Sequence, residues 1–226
     1  MTSRTLRPAP LRIVGFASGR GSNFGALIAA RRDGRLPVEL CALLSDRGDA
    51  AALGVARAAG IEAIAMSPRD YADRPAFDRA IFERAAQFRP DLIVLAGYMR
   101  IIDPGVVAAW SGRMINIHPS LLPKYRGLHT HRRALEAGDA LHGASVHYVT
   151  AELDGGPTIA QAEIPLLAGD TPESVAERLL AQEHRLLVAS VALIAAGHVV
   201  LDDCGVLFDS APLAAPLKLR ADGSLA

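Results

Sequence analysis

The sequence predicts an α/β fold, a three-layer, Rossmann-like, doubly wound and mostly parallel sheet with antiparallel additions in the C-terminal half. Three observations carry this expectation. Apolar runs of strand length alternate with segments of helical period from residue 11 to residue 118. The run 92–96 (LIVLA) is apolar throughout, as suits a strand covered by helices on both faces. After Pro119 the alternation breaks, and two strand-like runs, 144–149 and 157–164, are joined only by the loop 150–156.

Taken in order, residues 11–17 (LRIVGFA) read as a buried strand that runs into a Gly/Ser loop, 18–23, and a helix to about Arg32. A second strand, 38–44, precedes an Ala-rich helix over 50–59 that Gly60 closes, and 61–65 is a short third strand. Phe77, Ile81, Phe82, Ala85 and Phe88 recur at helical spacing over 74–88, and Pro90 stops that helix. A short helix, 103–110, separates strand 92–96 from strand 114–118. The loop 119–129 and a short helix, 131–137, lead into the two later strands. A long helix, 172–196, starts after Thr171, a good N-cap with Ser174 three residues on. One domain is expected over 11–210, with 1–10 and 211–226 as flexible termini.

Half of the 226 residues are apolar, enough for a substantial core. Lys and Arg together number 24, as do Asp and Glu, so no global field favours nucleic acid or an anionic membrane. Only Lys124 and Lys218 are lysines, an Arg bias read as coding background. Two cysteines, Cys41 and Cys204, make neither a disulfide framework nor a metal site, and Cys41 reads as a small core residue. Residues 1–10 lack the apolar stretch of a secretory signal, and the longest near-apolar run, 186–196, is too short to span a bilayer. These features predict a cytoplasmic protein with small-molecule partners, no nucleic acid, no membrane and no metal, as a monomer or homodimer.

Three motifs carry chemistry. Ser18-Gly19-Arg20-Gly21-Ser22-Asn23 joins a strand to a helix, where glycines let free backbone N–H groups approach an anion along the helix dipole. A dinucleotide fingerprint would place a third Gly where Phe24 stands, and no Gly-Lys-Ser/Thr follows, so one phosphate of a small ligand is the expectation. A tight turn without a ligand is the bland alternative. Asn116 and His118 share one face at the end of a strand that Pro119 terminates, an amide donor beside an imidazole, as a carbonyl addition needs. A His that caps the sheet edge is the alternative there. Glu152-Leu153-Asp154-Gly155-Gly156 places a carboxylate in a turn; meeting His118, Asp154 would favour the imidazolium and raise its pKa, and otherwise the segment is an ordinary Asp-Gly turn. His129 and His131 lack the partners of a zinc site, and His142, His147, His184 and His198 read as solvated or core residues. Asp46 fits a ribose-binding acid or a helix cap equally.

In combination, IVGFASGRGSNFGALI, DLIVLAGYMRII, MINIHPSLLPKYRGLHTHRRALEAGD, GASVHYVTAELDGGPTIAQAEIP and AQEH resemble the folate-dependent formyltransferases, in order along nearly the whole chain. The SGxGSN loop and the YxGLHTH form narrow the resemblance to the phosphoribosylglycinamide formyltransferase family. That resemblance implies formyl transfer from 10-formyltetrahydrofolate, a co-substrate, to the glycinamide amine in purine biosynthesis. By the same resemblance Asn116, His118 and Asp154 are catalytic. Gly21, Ser22, Asn23 and Glu183 hold the ribotide. Arg74, Met99, Arg100, Ile101, Ile102 and Asn116 lie on the folate side. Two departures stand out: Arg20 where relatives often carry Asn, and Leu180 where some carry a polar or cationic residue.

Rival readings are another 10-formyltetrahydrofolate-dependent formyltransferase, a hydrolase of the same folate, and an inactive phosphosugar-binding protein. A tRNA formyltransferase would need a further C-terminal domain and a basic surface. A deformylase would need an N-terminal regulatory domain. A nicotinamide oxidoreductase is disfavoured by Phe24.

Overall fold

A computed structural model describes residues 10–203 and 205–226. The expectations placed on residues 1–9 and on Cys204 lie outside the described residues. The elements run β1 (Leu11–Phe16), α1 (Ser22–Arg32), β2 (Val38–Ser45), α2 (Ala51–Ala58), β3 (Glu62–Ala65), α3 (Arg74–Ala86), β4 (Leu92–Leu95), α4 (Pro104–Ala109), β5 (Met114–His118), α5 (Thr130–Glu136), β6 (Leu141–Tyr148), β7 (Thr158–Pro165) and α6 (Pro172–Ala195). Four short strands close the chain: β8 (Val199–Asp202), β9 (Gly205–Phe208), β10 (Ala211–Pro212) and β11 (Leu217–Lys218).

Eight strands form one sheet in the order β11-β7-β6-β5-β4-β1-β2-β3. Strands β1 to β5 pair in parallel, and β6 is antiparallel to both β5 and β7. The doubly wound expectation and the antiparallel C-terminal additions are both present. Strand order reverses between β1 and β4, so the loops leaving these strands splay apart and open a crevice at their carboxyl ends. The Ser18 N–H donates to the Gly97 carbonyl across this point, 2.9 Å.

Each sheet face has its own core. Phe24 and Leu27 of α1, Ala52 and Ala56 of α2, and Val175, Leu179 and Leu187 of α6 cover one face. Phe77, Ile81 and Phe82 of α3, with Val106 and Val107 of α4, cover the other. Ile93 and Val94 of β4 are fully buried on opposite faces, as a two-sided strand requires. Phe24 shows why position 24 is not glycine. Its ring lies over Gly15, where a Cβ would meet it at 2.4 Å. The close helix–strand contact is therefore made by a glycine on the strand, with an aromatic ring on the helix.

Thr171 caps α6 by accepting from the Ser174 N–H, while Ser174 Oγ accepts from the Thr171 N–H, 3.0 Å. The tail expected to fray from residue 211 is instead paired. Leu217 is buried, β11 lies parallel to β7, and Arg185 donates to the carbonyls of Arg220 and Ala221 at 3.0 and 2.6 Å. The reason is the open edge of β7, whose ladder groups would otherwise remain unpaired. Cys41 is partly buried and packs against the second of the two cores. Among the described residues, no helix is long and apolar enough to cross a membrane.

Candidate active site

Two of the sequence motifs stand at the carboxyl ends of β1 and β5, and the β6–β7 loop carries the third against His118. The first loop ends in Gly21, which caps α1 with φ 77°. A Cβ at Gly21 would lie 2.6 Å from the Ala52 Cα, so glycine is required by both conformation and space. No side chain caps α1, and its first turn carries no acidic residue. Its leading N–H groups and positive dipole end are thus left for an outside anion.

Beside this helix start, Asn23 Nδ2 donates to Glu183 Oε2 of α6, 3.0 Å, while the buried Asn23 Oδ1 has no hydrogen-bond partner. Burial pushes the Glu183 pKa up, partly offset by the Asn23 hydrogen bond and the Arg20 charge. The structure thus joins Gly21, Ser22, Asn23 and Glu183 in one corner.

Asp46 does not cap α2, whose N-cap is Ala50. It accepts from Ser18 Oγ at 2.6 Å, and Ser18 Oγ in turn accepts from the Met99 N–H at 2.9 Å. The first loop is thereby tied to the segment after β4.

That segment forms the apolar side of the crevice. Leu95, Tyr98, Arg100, Ile101, Ile102 and Val107 line a cleft with Asn116, His147 and the 149–154 loop. Met99 and Ile101 are 71% and 55% exposed, an apolar surface at the cleft mouth. Arg74, at the start of α3, is exposed and does not line the cleft.

Asp78 on α3 supports the segment. It is fully buried and accepts from the Asp103 N–H at 2.8 Å. Its Oδ1 lies 4.0 Å from Arg100 Nε, and neither of these atoms has a hydrogen-bond partner. The Arg100 guanidinium stacks on Phe77 at 4.7 Å. Burial raises the Asp78 pKa, against the Asp103 N–H and the charges of Arg100 and Arg74.

At the centre stand Asn116, His118 and Asp154. Asn116 Nδ2 lies 3.4 Å from Asp154 Oδ1, and His118 Nδ1 lies 3.4 Å from Asp154 Oδ2. The loop between β6 and β7 delivers the carboxylate. Asp154 adopts φ 48°, and a Cβ at Gly156 would meet the Tyr148 carbonyl oxygen at 1.8 Å. The loop 119–129 closes behind: the Gly127 N–H donates to Asp154 Oδ2, 2.9 Å, and His118 Nε2 donates to the Tyr125 carbonyl, 2.9 Å.

This settles the proton pattern of His118. A carbonyl oxygen only accepts, so Nε2 carries a hydrogen and Nδ1 faces Asp154 and the crevice. Burial lowers the His118 pKa, against the Tyr125 hydrogen bond and the Asp154 charge, with His147 and Arg133 adding to the fall. The expectation that Asp154 raises this pKa holds for its own contribution. The net shift is downward because the ring is 6% exposed. Burial opposes ionisation of Asp154, yet its pKa falls below the ordinary value, the positive charge of a protonated His118 and the Gly127 N–H both favouring the carboxylate.

Two further residues border this centre: His147, read from the sequence only as a solvated or core residue, and Ser145, to which the sequence reading gave no role. The β5–β6 register sets His147 opposite Asn116 and Ser145 opposite His118. Ser145 Oγ donates to the Ser120 carbonyl, 2.7 Å, and accepts from the Leu122 N–H, 3.0 Å, which pins the loop behind His118. Among the described residues, no group of three or more His, Cys, Asp or Glu is placed to hold a metal ion.

A crevice with an anion-ready helix start, an apolar cleft and an amide–imidazole–carboxylate centre defines a group-transfer site, and the chain belongs to the formyl transferase family, which it matches over residues 11–191. It is 43% identical to the phosphoribosylglycinamide formyltransferase of Escherichia coli (strain K12), over 88% of this chain and 94% of that protein. Among solved structures it is similar to a phosphoribosylglycinamide formyltransferase from Coxiella burnetii, with TM-score 0.87 and 44% identity over 91% of this chain and 96% of that one. Glycinamide ribonucleotide transformylase 1 from Symbiobacterium toebii matches with TM-score 0.86 and 42% identity, over 89% of this chain and 95% of that one.

Proposed function

We propose that this chain transfers the formyl group of 10-formyltetrahydrofolate to the amine of 5'-phosphoribosylglycinamide, giving formylglycinamide ribonucleotide and tetrahydrofolate. The observation that carries the reading is the position of Asn116, His118 and Asp154. Asn116 and Asp154 line an apolar cleft suited to a flat ring system, His118 faces Asp154, and the same sheet leads from β1 into an uncapped helix start suited to a phosphate. The ribotide phosphate takes the N–H groups of Ser22 and Asn23, with Gly21 clearing its approach and Glu183 accepting from ligand hydroxyls. The folate lies against Arg100, Ile101 and Ile102, with Met99 at the mouth and Arg74 at the outer rim.

The amine attacks the formyl carbon, and the carbonyl becomes a tetrahedral oxyanion. Asn116 donates an N–H to this oxygen; one such donor is typically worth about 3–4 kcal/mol in the transition state. The attacking nitrogen sheds a proton to His118 Nδ1. The resulting imidazolium is held by the Tyr125 carbonyl and the Asp154 carboxylate, and its charge offsets the oxyanion. Collapse breaks the bond between the formyl carbon and N10 of the folate, and His118 returns the proton to N10. Atoms and charge balance without a metal or a redox step.

The small-molecule substrates and the reducing cytoplasm expected from cysteine usage suit this reading. Incubation of the purified protein with both substrates tests it, by following tetrahydrofolate release against formation of the formylated ribotide. Release of free formate in place of that product would move the chain to the hydrolases.

A further inference from the structure

We propose that His147 is a positioning residue that fixes the orientation of the Asn116 amide. The inference rests on the reading of Asn116 as the oxyanion donor.

His147 is 2% exposed and stands opposite Asn116 in the β5–β6 ladder. Its Nδ1 lies 2.9 Å from the Tyr148 carbonyl oxygen. That oxygen can only accept, so Nδ1 carries a hydrogen, and the ring when neutral keeps its lone pair on Nε2. Nε2 lies 3.1 Å from Asn116 Nδ2. An amide nitrogen only donates, so one Asn116 N–H is taken by His147.

The second N–H then faces Asp154 Oδ1 at 3.4 Å, a long contact that an oxyanion in the crevice can replace. The opposite amide orientation would set the Asn116 carbonyl against two acceptors, the His147 lone pair and the Asp154 carboxylate. His147 Nε2 is itself 3.7 Å from Asp154 Oδ1, so both acceptors border the same amide edge. The backbone of β6 therefore selects the His147 tautomer, and the tautomer selects the amide face presented to the reacting carbon. A hydrophobic residue of similar size would fill the space without making this selection.

The test compares His147→Gln, His147→Leu and His147→Asn, each in the parent and in the Asn116→Ala background. A Gln carbonyl reaches the place of Nε2 and accepts the amide N–H; Leu offers volume alone, and Asn ends nearer the place of Nδ1. His147→Leu and His147→Asn should lower kcat by about 10- to 100-fold with both KM values within about 3-fold of the parent. His147→Gln should recover kcat to within about 5-fold of the parent. In the Asn116→Ala background, His147→Leu should bring no further loss.

Equal impairment of the Gln and Leu variants would overturn the inference, as would losses additive with Asn116→Ala. Should His147→Leu fail to fold, the Gln–Asn pair carries the same comparison. An impaired Asn116→Ala beside a fully active His147→Leu overturns this inference alone. Undiminished kcat in Asn116→Ala overturns the oxyanion-donor reading and this inference with it.

Discussion

His118 Nδ1 faces Asp154 Oδ2 at 3.4 Å, although one residue ends strand β5 and the other arrives on the β6–β7 loop. The relationship is enforced from both sides, by the Tyr125 carbonyl on His118 Nε2 and the Gly127 N–H on Asp154 Oδ2. Both restraints come from the loop 119–129, so that loop sets the imidazole and the carboxylate together. Asp154 is the group that opposes the desolvation of His118 with a full charge.

Asp154→Asn keeps the side chain's shape and removes that charge. The His118 pKa, already below its ordinary value, should fall further, and NMR titration of the ring reads the shift directly. Turnover should drop by about 100-fold or more, while ribotide affinity stays close to that of the parent because the phosphate is held at α1. An unchanged His118 titration would show that the carboxylate does not act through the ring.

Ser22→Asp places a negative charge in the uncapped first turn of α1. An intrahelix carboxylate satisfies the dipole itself and repels the incoming anion. The ribotide KM should rise by about 10-fold or more, with the folate KM little changed. Steady-state kinetics with each substrate varied in turn separates the two; equal losses would remove the phosphate assignment.

On the other side of the crevice, Asp78→Ala removes the acceptor of the Asp103 N–H and the carboxylate facing Arg100. Leaving such buried partners unpaired costs about 1–3 kcal/mol. The folate KM should rise, the ribotide KM should not, and amides of residues 99–103 should lose protection in hydrogen exchange. Asp78→Asn retains an oxygen for the Asp103 N–H and should fall between the parent and the Ala variant.

A fourth expectation concerns acid stability. His131 Nδ1 and His142 Nε2 are 3.0 Å apart, close enough to share one proton. Burial and the neighbouring His131 lower the His142 pKa to about 4, and burial also lowers that of His131. The unfolded chain binds these protons more readily than the folded one. The stability held at neutral pH is therefore lost as pH falls from the ordinary histidine value of 6.5 toward about 4. Thermal unfolding followed across that window should show a falling Tm, and His142→Gln should flatten the profile.

Much of this was legible in the residues. The core strands and helices announce themselves by period and by stops such as Gly60 and Pro90, and Thr171 marks the start of α6 correctly. Asn116 and His118 were paired by strand alternation alone. The shared corner of Asn23 and Glu183 came from the resemblance, because no local pattern joins α1 to α6. The site roles of His147 and Ser145 were missed for a related reason. Their partners follow from the β5–β6 register, which depends on how the loop 119–129 and α5 bring β6 back against β5. A buried polar alternation, Ser145 then His147, on the strand after the motif was the available signal. The tail was misjudged because its composition is loop-like, while its order comes from the open edge of β7 and from Arg185.

The central claim is that one crevice joins a ribotide amine to a folate formyl group at Asn116, His118 and Asp154. The most direct measurement supplies 10-formyltetrahydrofolate carrying isotopic carbon in the formyl group, together with 5'-phosphoribosylglycinamide, and follows the label by mass spectrometry. The account predicts that the label appears on the ribotide amine in step with tetrahydrofolate, and that the Asp154→Asn variant slows both equally. Label recovered as free formate, or tetrahydrofolate released at the same rate without the ribotide, would contradict it.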